Sequence, residues 1–343
     1  MSSLKFIFVI TPNTQTPSFR YRLSQYIPFL ERLGFKVEVF ERQTITPADI
    51  GNQENSLEKA AIIFLQKKLL NRSESSLLGK WRKKMVLDLD DALFIPAFDT
   101  GGKILGTVKR SRKWNKFVRT LESCSQVICA NSYLAEKCRE AGHNNIHVIP
   151  TPVPLDRYHA KSFESPEQGS FILGWIGTPG NLRYLEPLRP VLGNLHRKLS
   201  VILRIISSER PAITECPLEF KKWRLEEEAD DLAGLDVGLM PLTDDAWTRG
   251  KAGFKLLQYM AAGLPSVSSN VGMNREIIQN GKNGFLVENA SDWQIILEEL
   301  ACDPALCKRT GQNARKTVEN QYCLDVIVPR IVDIFHQFVR NRD

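Results

Sequence analysis

The chain of 343 residues has no uninterrupted apolar run of the length, about 20 residues, that a membrane-spanning helix needs. The one apolar run near its start, Lys5–Ile10, is short and gives way to Thr-Pro-Asn, so it reads as a buried first strand and not as a secretory leader. Seven cysteines, an odd number at irregular spacing, build no disulfide framework, and a reducing cytoplasm is the simpler setting. The five histidines are scattered and no Cys-x-x-Cys pair is present, so the sequence offers no zinc site and no metal is expected. Low-complexity segments and internal repeats are also absent.

What is present is ordinary globular material, 43% apolar and 25% charged. The length exceeds what one hydrophobic core usually serves, which predicts two domains. The net charge of +7 is uneven: residues 1–150 hold 23 Lys and Arg against 14 Asp and Glu, and the remainder is slightly acidic. Basicity confined to one half implies a local anionic partner, with phosphates, a membrane surface and nucleic acid as candidates.

Short apolar runs alternate with helical patterns along the whole chain. Lys5–Ile10, Phe35–Phe40, Ala61–Leu65, Met85–Leu89, Val127–Ala130 and His147–Ile149 read as buried strands, with a helix through Tyr21–Leu33 between the first two. Pro150, Pro152, Pro154 and Pro166 then cluster with Ser, Glu and Gly as a linker. Beyond it the alternation restarts with strands Phe171–Ile176, Ser200–Ile206, Val237–Met240 and Ser266–Ser269, and helices Phe254–Ala262, Asp292–Leu300 and Leu324–Arg340. The prediction is α/β: two doubly wound Rossmann-like domains, residues 1–155 joined by the final helix 325–343, and residues 170–324. Such domains bind ligands at the carboxyl ends of their strands, which places the site in a cleft between them.

Five stretches carry chemistry. In Gly250–Glu276 a glycine-containing loop leads into a helix starting near Gly253, and helix starts attract phosphate. Lys251 and Lys255 are four apart, which on one helical turn would aim both ammonium groups at one anion; a capped helix with solvated lysines is the alternative. In Gly174–Arg183 (GWIGTPGNLR) a strand meets a loop holding Gly177, Pro179 and Gly180, where backbone N–H groups can approach a phosphate; a plain tight turn is the alternative. The Asp88-Leu-Asp90-Asp91 run closes a buried strand with three carboxylates, suited to orienting or deprotonating a hydroxyl, or to a metal, or to capping. In the first loop Arg20 and Arg22 can hold an anionic acceptor or salt-bridge a carboxylate. Finally, Lys103–Arg119 interleaves cations with Ile104, Leu105, Val108, Trp114, Phe117 and Val118, which fits either a membrane-surface helix or a solvated basic one; no nucleic-acid motif accompanies it.

The residues FKLLQYMAAGLPSVSSNVGMNREII and NGKNGFLV resemble the signature region of the fourth glycosyltransferase family, retaining enzymes of the GT-B fold. Aligned on the Met-Ala-Ala-Gly-Leu-Pro turn, Gln258 takes the place of the family's second glutamate, Gly250 that of the first, and Gly253, Glu276 and Gly284 match glycine, glutamate and glycine. In the family the first glutamate contacts the donor sugar and the second the nucleotide ribose. Here the first is absent and the second is a neutral amide. Thr178 replaces an arginine that usually follows Gly177, and Arg183 is the nearest stand-in for a lysine further on. Asp90 and Asp91 fall where a His-Asp pair often ends a strand of the first domain.

The resemblance implies a nucleotide-diphosphate sugar donor, no further cofactor, no metal and no nucleic acid. It implies a donor site of Gly177, Thr178, Gly180, Lys251, Gly253, Phe254, Gln258 and Glu276, with Lys255 and Arg183 assisting catalysis beside Asp90 and Asp91, and Arg20 and Arg22 holding the acceptor. A lipid-linked or cell-envelope glycan acceptor follows from the basic segment, with the protein cytoplasmic and peripheral at the inner face of the plasma membrane. A sugar-nucleotide epimerase and a catalytically silent sugar- or lipid-binding protein are the rival readings, the second favoured by the missing glutamate.

Overall fold

The strands form where apolar runs are long enough to be covered on both faces. The computed structural model describes residues 5–96, 103–163 and 170–340, the side chains of 103–108 excepted. Its contacts divide the chain into two units: residues 1–152, 245–252 and 324–343, and residues 153–244 and 253–323. The short Asp245–Ala252 segment thus groups with the first unit, whereas the sequence boundaries placed it in the second.

In the first unit, strands β1 (Lys5–Thr11), β2 (Phe35–Glu41), β3 (Ile62–Gln66), β4 (Met85–Leu89), β5 (Gln126–Cys129) and β6 (Ile146–Val148) lie in the order β2-β1-β3-β4-β5-β6. All their pairings are parallel. Successive side chains alternate between faces, so Phe8, Ile10, Ile63, Leu65, Leu87 and Leu89 build one core layer and Ile7, Val9, Ile62, Phe64, Val86 and Ile128 the other. The helix Leu324–Arg340 returns to close the second layer with Ile327, Ile331, Ile334, Phe335 and Phe338. Each such side chain, fully buried, contributes about 1.5–3 kcal/mol of transfer free energy.

The second unit repeats the plan with β7 (Ile172–Ile176), β8 (Ile202–Ser207), β9 (Leu218–Lys222), β10 (Val237–Met240), β11 (Ser266–Ser269) and β12 (Phe285–Val287), in the order β12-β11-β10-β7-β8-β9, again all parallel. Trp175, Leu203, Ile205 and Leu239 fill one side of this sheet. Ile176 and Ile206 meet the helix Phe254–Ala261 on the other.

Three expectations change. The helix expected over Tyr21–Leu33 begins earlier, at Pro17, on a Thr16 side-chain cap, and breaks after Arg22; a 3-10 turn and the helix Ile27–Arg32 follow. The backbone leaves helical geometry at Leu23, φ −143°, and Pro28 sits in the first turn of the second helix, where its missing N–H is tolerated. Strand β9, with only Leu218 and Phe220 apolar, carries no buried-strand pattern and was not anticipated. The basic helix Lys103–Glu122 turns Trp114 and Phe117 onto Phe94, ring centroids 5.7 and 4.9 Å away, so its aromatic stripe belongs to the core of the first unit and is not offered to lipid. Ile104, Leu105 and Val108 lie outside the described side chains. No helix among the described residues is long and apolar enough to cross a membrane.

Candidate functional site

In a doubly wound sheet the ligand crevice opens beyond the carboxyl ends of the strands, where the strand order reverses. The first unit reverses between β1 and β3. Strand β3 ends at Gln66, and the next residue, Lys67, takes φ of 51°. A non-glycine residue held in that left-handed region is uncommon and strained. Its backbone N–H donates to the Asp88 carbonyl at 3.0 Å, and its Nζ donates to Ser18 Oγ at 2.7 Å. The same ammonium lies 3.3 Å from Asp90 Oδ1 and pairs closely with Asp91 Oδ2. The two aspartates differ in consequence. Burial alone would raise the pKa of Asp90, but the charges of Lys67 and Arg22 and the Ser18 hydroxyl outweigh it and hold the carboxyl below its ordinary range. Burial, with the neighbouring Asp90 charge, raises the pKa of Asp91, against the pull of Lys67 and Lys251.

Asp88, one pleat earlier, faces Arg22. The Arg22 Nε donates to its two carboxylate oxygens at 2.9 and 3.1 Å and Nη2 donates at 2.5 Å. Nη1 donates to the Ile149 carbonyl at 3.0 Å and to Thr151 Oγ1 at 3.1 Å. Arg22 is 1% exposed, so the expected acceptor contact is corrected: this guanidinium is an internal strut. Burial works against its charge, but Asp88 outweighs that and raises its pKa further. Arg20, on the same short helix, is half-buried with its guanidinium 5.6 Å from the Tyr21 ring centre.

The Asp245–Ala252 segment reaches this same edge. Asp245 caps the helix Ala246–Arg249. Asn131, while capping its own helix through Leu134 N–H, donates its amide to the carbonyls of Arg249 and Lys251 at 3.2 and 2.9 Å. A Cβ at Gly250 would stand 2.6 Å from Ala92 Cβ and 2.9 Å from Ala92 N, so glutamate does not fit here. Lys251 extends past Trp247, 5.6 Å from the ring centre, and its charge acts on Asp91. The expected pairing of Lys251 with Lys255 on one helical turn therefore fails. Gly253, at φ of 67°, breaks the path, and the helix begins only at Phe254.

In the second unit the order reverses between β7 and β10. Strand β7 runs into Gly177, exposed Thr178 and Gly180, and a 3-10 stretch from Pro179. Lys255, in the first turn of the helix Phe254–Ala261, lays its ammonium 4.2 Å from the Trp175 ring centre. A Cβ on Gly177 would meet that ammonium at 2.4 Å, so the glycine makes room for the cation. Gly253 serves as N-cap with no side-chain cap, and a Cβ there would press on Ile277 and Met273. Arg183 is exposed and stacks on Tyr184, donating to its hydroxyl at 2.9 Å. Gln258 is buried, its amide donating to Tyr158 Oη at 3.0 Å; that hydroxyl donates to Glu228 at 2.8 Å, and Trp223 Nε1 donates to the other Glu228 oxygen at 2.8 Å. Glu276 is exposed on the short helix Met273–Ile277.

The structure thus gathers Gly177, Lys255 and Trp175 in the second unit, and Asp90, Asp91 and Lys251 with Lys67 and Ser18 in the first. Sequence reasoning missed Lys67, Ser18, Tyr158 and Glu228. Only Lys67 had a local signal, a cation directly after a buried strand.

Residues 191–303 match the family model described as glycosyl transferases group 1. The matched segment is about a third of the chain. Over 67 residues the chain is 37% identical to the putative glycosyltransferase EpsD of Bacillus subtilis, covering 19% of this chain and 18% of EpsD. The chain spans between 18% and 24% of the length of the curated relatives it matches. Solved structures extend the likeness to the whole fold. The sucrose-phosphate synthase of Thermosynechococcus elongatus superposes with a TM-score of 0.76 at 13% identity, covering 98% of this chain and 100% of that one. HepE of Anabaena, crystallised with UDP and glucose, superposes at 0.71 and 15% identity, covering 97% and 100%. The fold is the GT-B fold.

Proposed function

We propose that this protein is a retaining glycosyltransferase that moves a sugar from a nucleotide-diphosphate donor to an acceptor hydroxyl. The observation that carries the reading is the cation cradle of the second unit: Lys255 seated on Trp175 against Gly177, at the reversal point of a Rossmann-ordered sheet. A fixed ammonium beside glycine backbone and a helix start suits a diphosphate, whose charge grows as it leaves. Arg183 and Thr178 would flank it, with Phe254, Gly180 and Glu276 completing the donor surface, while Gln258, expected to meet the ribose, is buried behind it with its amide on Tyr158. With these groups to take up the leaving charge, the reaction needs no metal. The new bond forms between the acceptor oxygen and the anomeric carbon as the bond to the diphosphate breaks. The acceptor proton passes to the departing phosphate oxygen, and Asp91 orients the hydroxyl.

The acceptor belongs to the cell envelope or to a lipid-linked glycan, brought near by exposed Lys109, Arg110, Arg112 and Lys113 on the basic helix. Since Trp114 is occupied in the core, attraction to an anionic membrane would be electrostatic, about 1 kcal/mol per near-surface cation. Replacing these four cations by glutamate should release the protein from anionic vesicles; unchanged binding would remove the membrane from the reading.

The donor site is tested by thermal shift against UDP-, GDP-, ADP-, CMP- and dTDP-sugars with a chelator present. A ligand at a hundredfold its Kd adds about 2.7 kcal/mol. A shift with one nucleotide series, lost in Lys255→Ala, supports the donor site; none with any series counts against it. Proton NMR of the product's anomeric configuration then decides retention. A second reading, a silent nucleotide-sugar binder, is favoured by Gly250, which leaves no room for the family's first glutamate. Donor binding without transfer or hydrolysis would support it.

A further inference from the structure

Asp90 and Asp91 are neighbours in the chain, and both carboxylates are drawn onto one ammonium, that of Lys67. Two carboxylates so close cannot both stay ionised without a counter-charge. The backbone that delivers this charge is left-handed, φ of 51°, a conformation suited to glycine. A lysine kept there, directly after β3 and beside the reversal of strand order, has its side chain as the reason for the strain. Ser18 Oγ, 2.7 Å from the ammonium, fixes it from the β1 side. The Asp91 side chain is 21% exposed and that of Asp90 9%, so Asp91 is the one an incoming hydroxyl can reach.

We propose that Lys67 is a positioning residue of the acceptor site, holding Asp91 as an ionised hydrogen-bond acceptor aimed at the acceptor hydroxyl. This rests on the transfer reading above. The charges facing the pair are Lys67 from the end of β3, Lys251 from the Asp245–Ala252 segment, and Arg22, itself tied to Asp88. Lys67 and Lys251 both favour the ionised Asp91, so removing either raises the pH at which it loses its proton.

The experiment compares wild type, Lys67→Met, Lys67→Arg and Lys67→Gly. Aspartate carboxyl carbons are titrated by NMR, with Asp91→Asn to assign the resonance, and kcat/KM is measured against pH beside donor affinity. In Lys67→Met the Asp91 titration should move up by about one pH unit or more. The acid limb of kcat/KM should move with it, a fall of about tenfold per unit at a fixed pH on that limb. Donor affinity stays unchanged and Lys67→Arg restores the limb. Lys67→Gly relieves the backbone and so should lose less Tm than Lys67→Met while showing the same displaced limb, which separates loss of the charge from loss of the fold. A limb that stays put while the carboxyl titration moves overturns the proposal, as does a carboxyl titration that does not move. If the wild type binds a donor but transfers to no hydroxyl, the transfer reading fails, and the titration alone still decides whether Lys67 sets the charge of Asp91.

Discussion

The two units put different chemistry at the same place in nearly the same fold. At the strand ends of the first, cations and carboxylates offset one another: Arg22 meets Asp88, and Lys67, with the charge of Lys251, meets Asp90 and Asp91. At the strand ends of the second, Gly177 makes room for a lysine, Lys255, that rests on the indole ring of Trp175. An edge that carries its own compensated charges suits a neutral partner such as a sugar hydroxyl, because Arg22, Lys67 and Lys251 already face carboxylates. An edge built of backbone N–H groups and a cation on an aromatic face suits a diphosphate. Sheet topology says where each crevice opens, and the side chains at the strand ends say what enters it.

The largest effect that probes this contrast is at Arg22. Arg22→Met strands a buried Asp88 carboxylate and should cost about 3–5 kcal/mol of stability, read by urea unfolding. A loss under 1 kcal/mol would mean that the pair is solvated, and the description of the first edge as internally compensated would not stand. Next, Asp91→Asn should lower transfer by about a hundredfold while leaving donor affinity alone; a parallel loss of donor affinity would blur the division of labour between the units. Lys255→Ala should do the reverse, weakening the donor by tenfold or more, about 1.5–3 kcal/mol, as calorimetry would show, with little change in stability. Smallest is Tyr158→Phe, which strips Gln258 and Glu228 of their shared hydroxyl and should cost about 1–2 kcal/mol. If it instead weakens the donor as much as Lys255→Ala, the Gln258–Tyr158–Glu228 network holds ligand as well as fold.

Much of the architecture is legible in the sequence because parallel strands buried on both faces are short unbroken apolar runs, as in KFIFVI and FILGWI. The half-exposed edge strand Leu218–Lys222 has no such run and was invisible. The site was legible only where a single segment carries it. Gly177, Gly253 and Lys255 announce themselves by loop chemistry, but Lys67 acquires meaning only when β3 is laid beside β4, and Tyr158 only when it meets Glu228, seventy residues away. Arg22 was left open between an acceptor and a carboxylate, and Lys251 was misread, for complementary reasons. A lone arginine in a loop does not disclose that a buried carboxylate will claim it, and a four-residue spacing does not disclose that Gly253 interrupts the helix between two lysines.

The visit of Asp245–Ala252 to the first unit, with the return of Leu324–Arg340, has a consequence for how the molecule is made. A chain emerging from the ribosome would present all six strands of the first sheet by residue 148, with Phe19, Leu23, Tyr26 and Leu30 able to cover part of the face of Ile7, Val9 and Phe64, yet the rest of that layer is not synthesised until Phe335 and Phe338 appear. For more than half of synthesis that face is covered only by the early helices, a span in which chaperones or aggregation compete for the rest. Cutting the gene at the linker would therefore yield a first half that is incomplete, not independent; supplying Leu324–Arg340 in trans or by fusion is the least addition that could seal it.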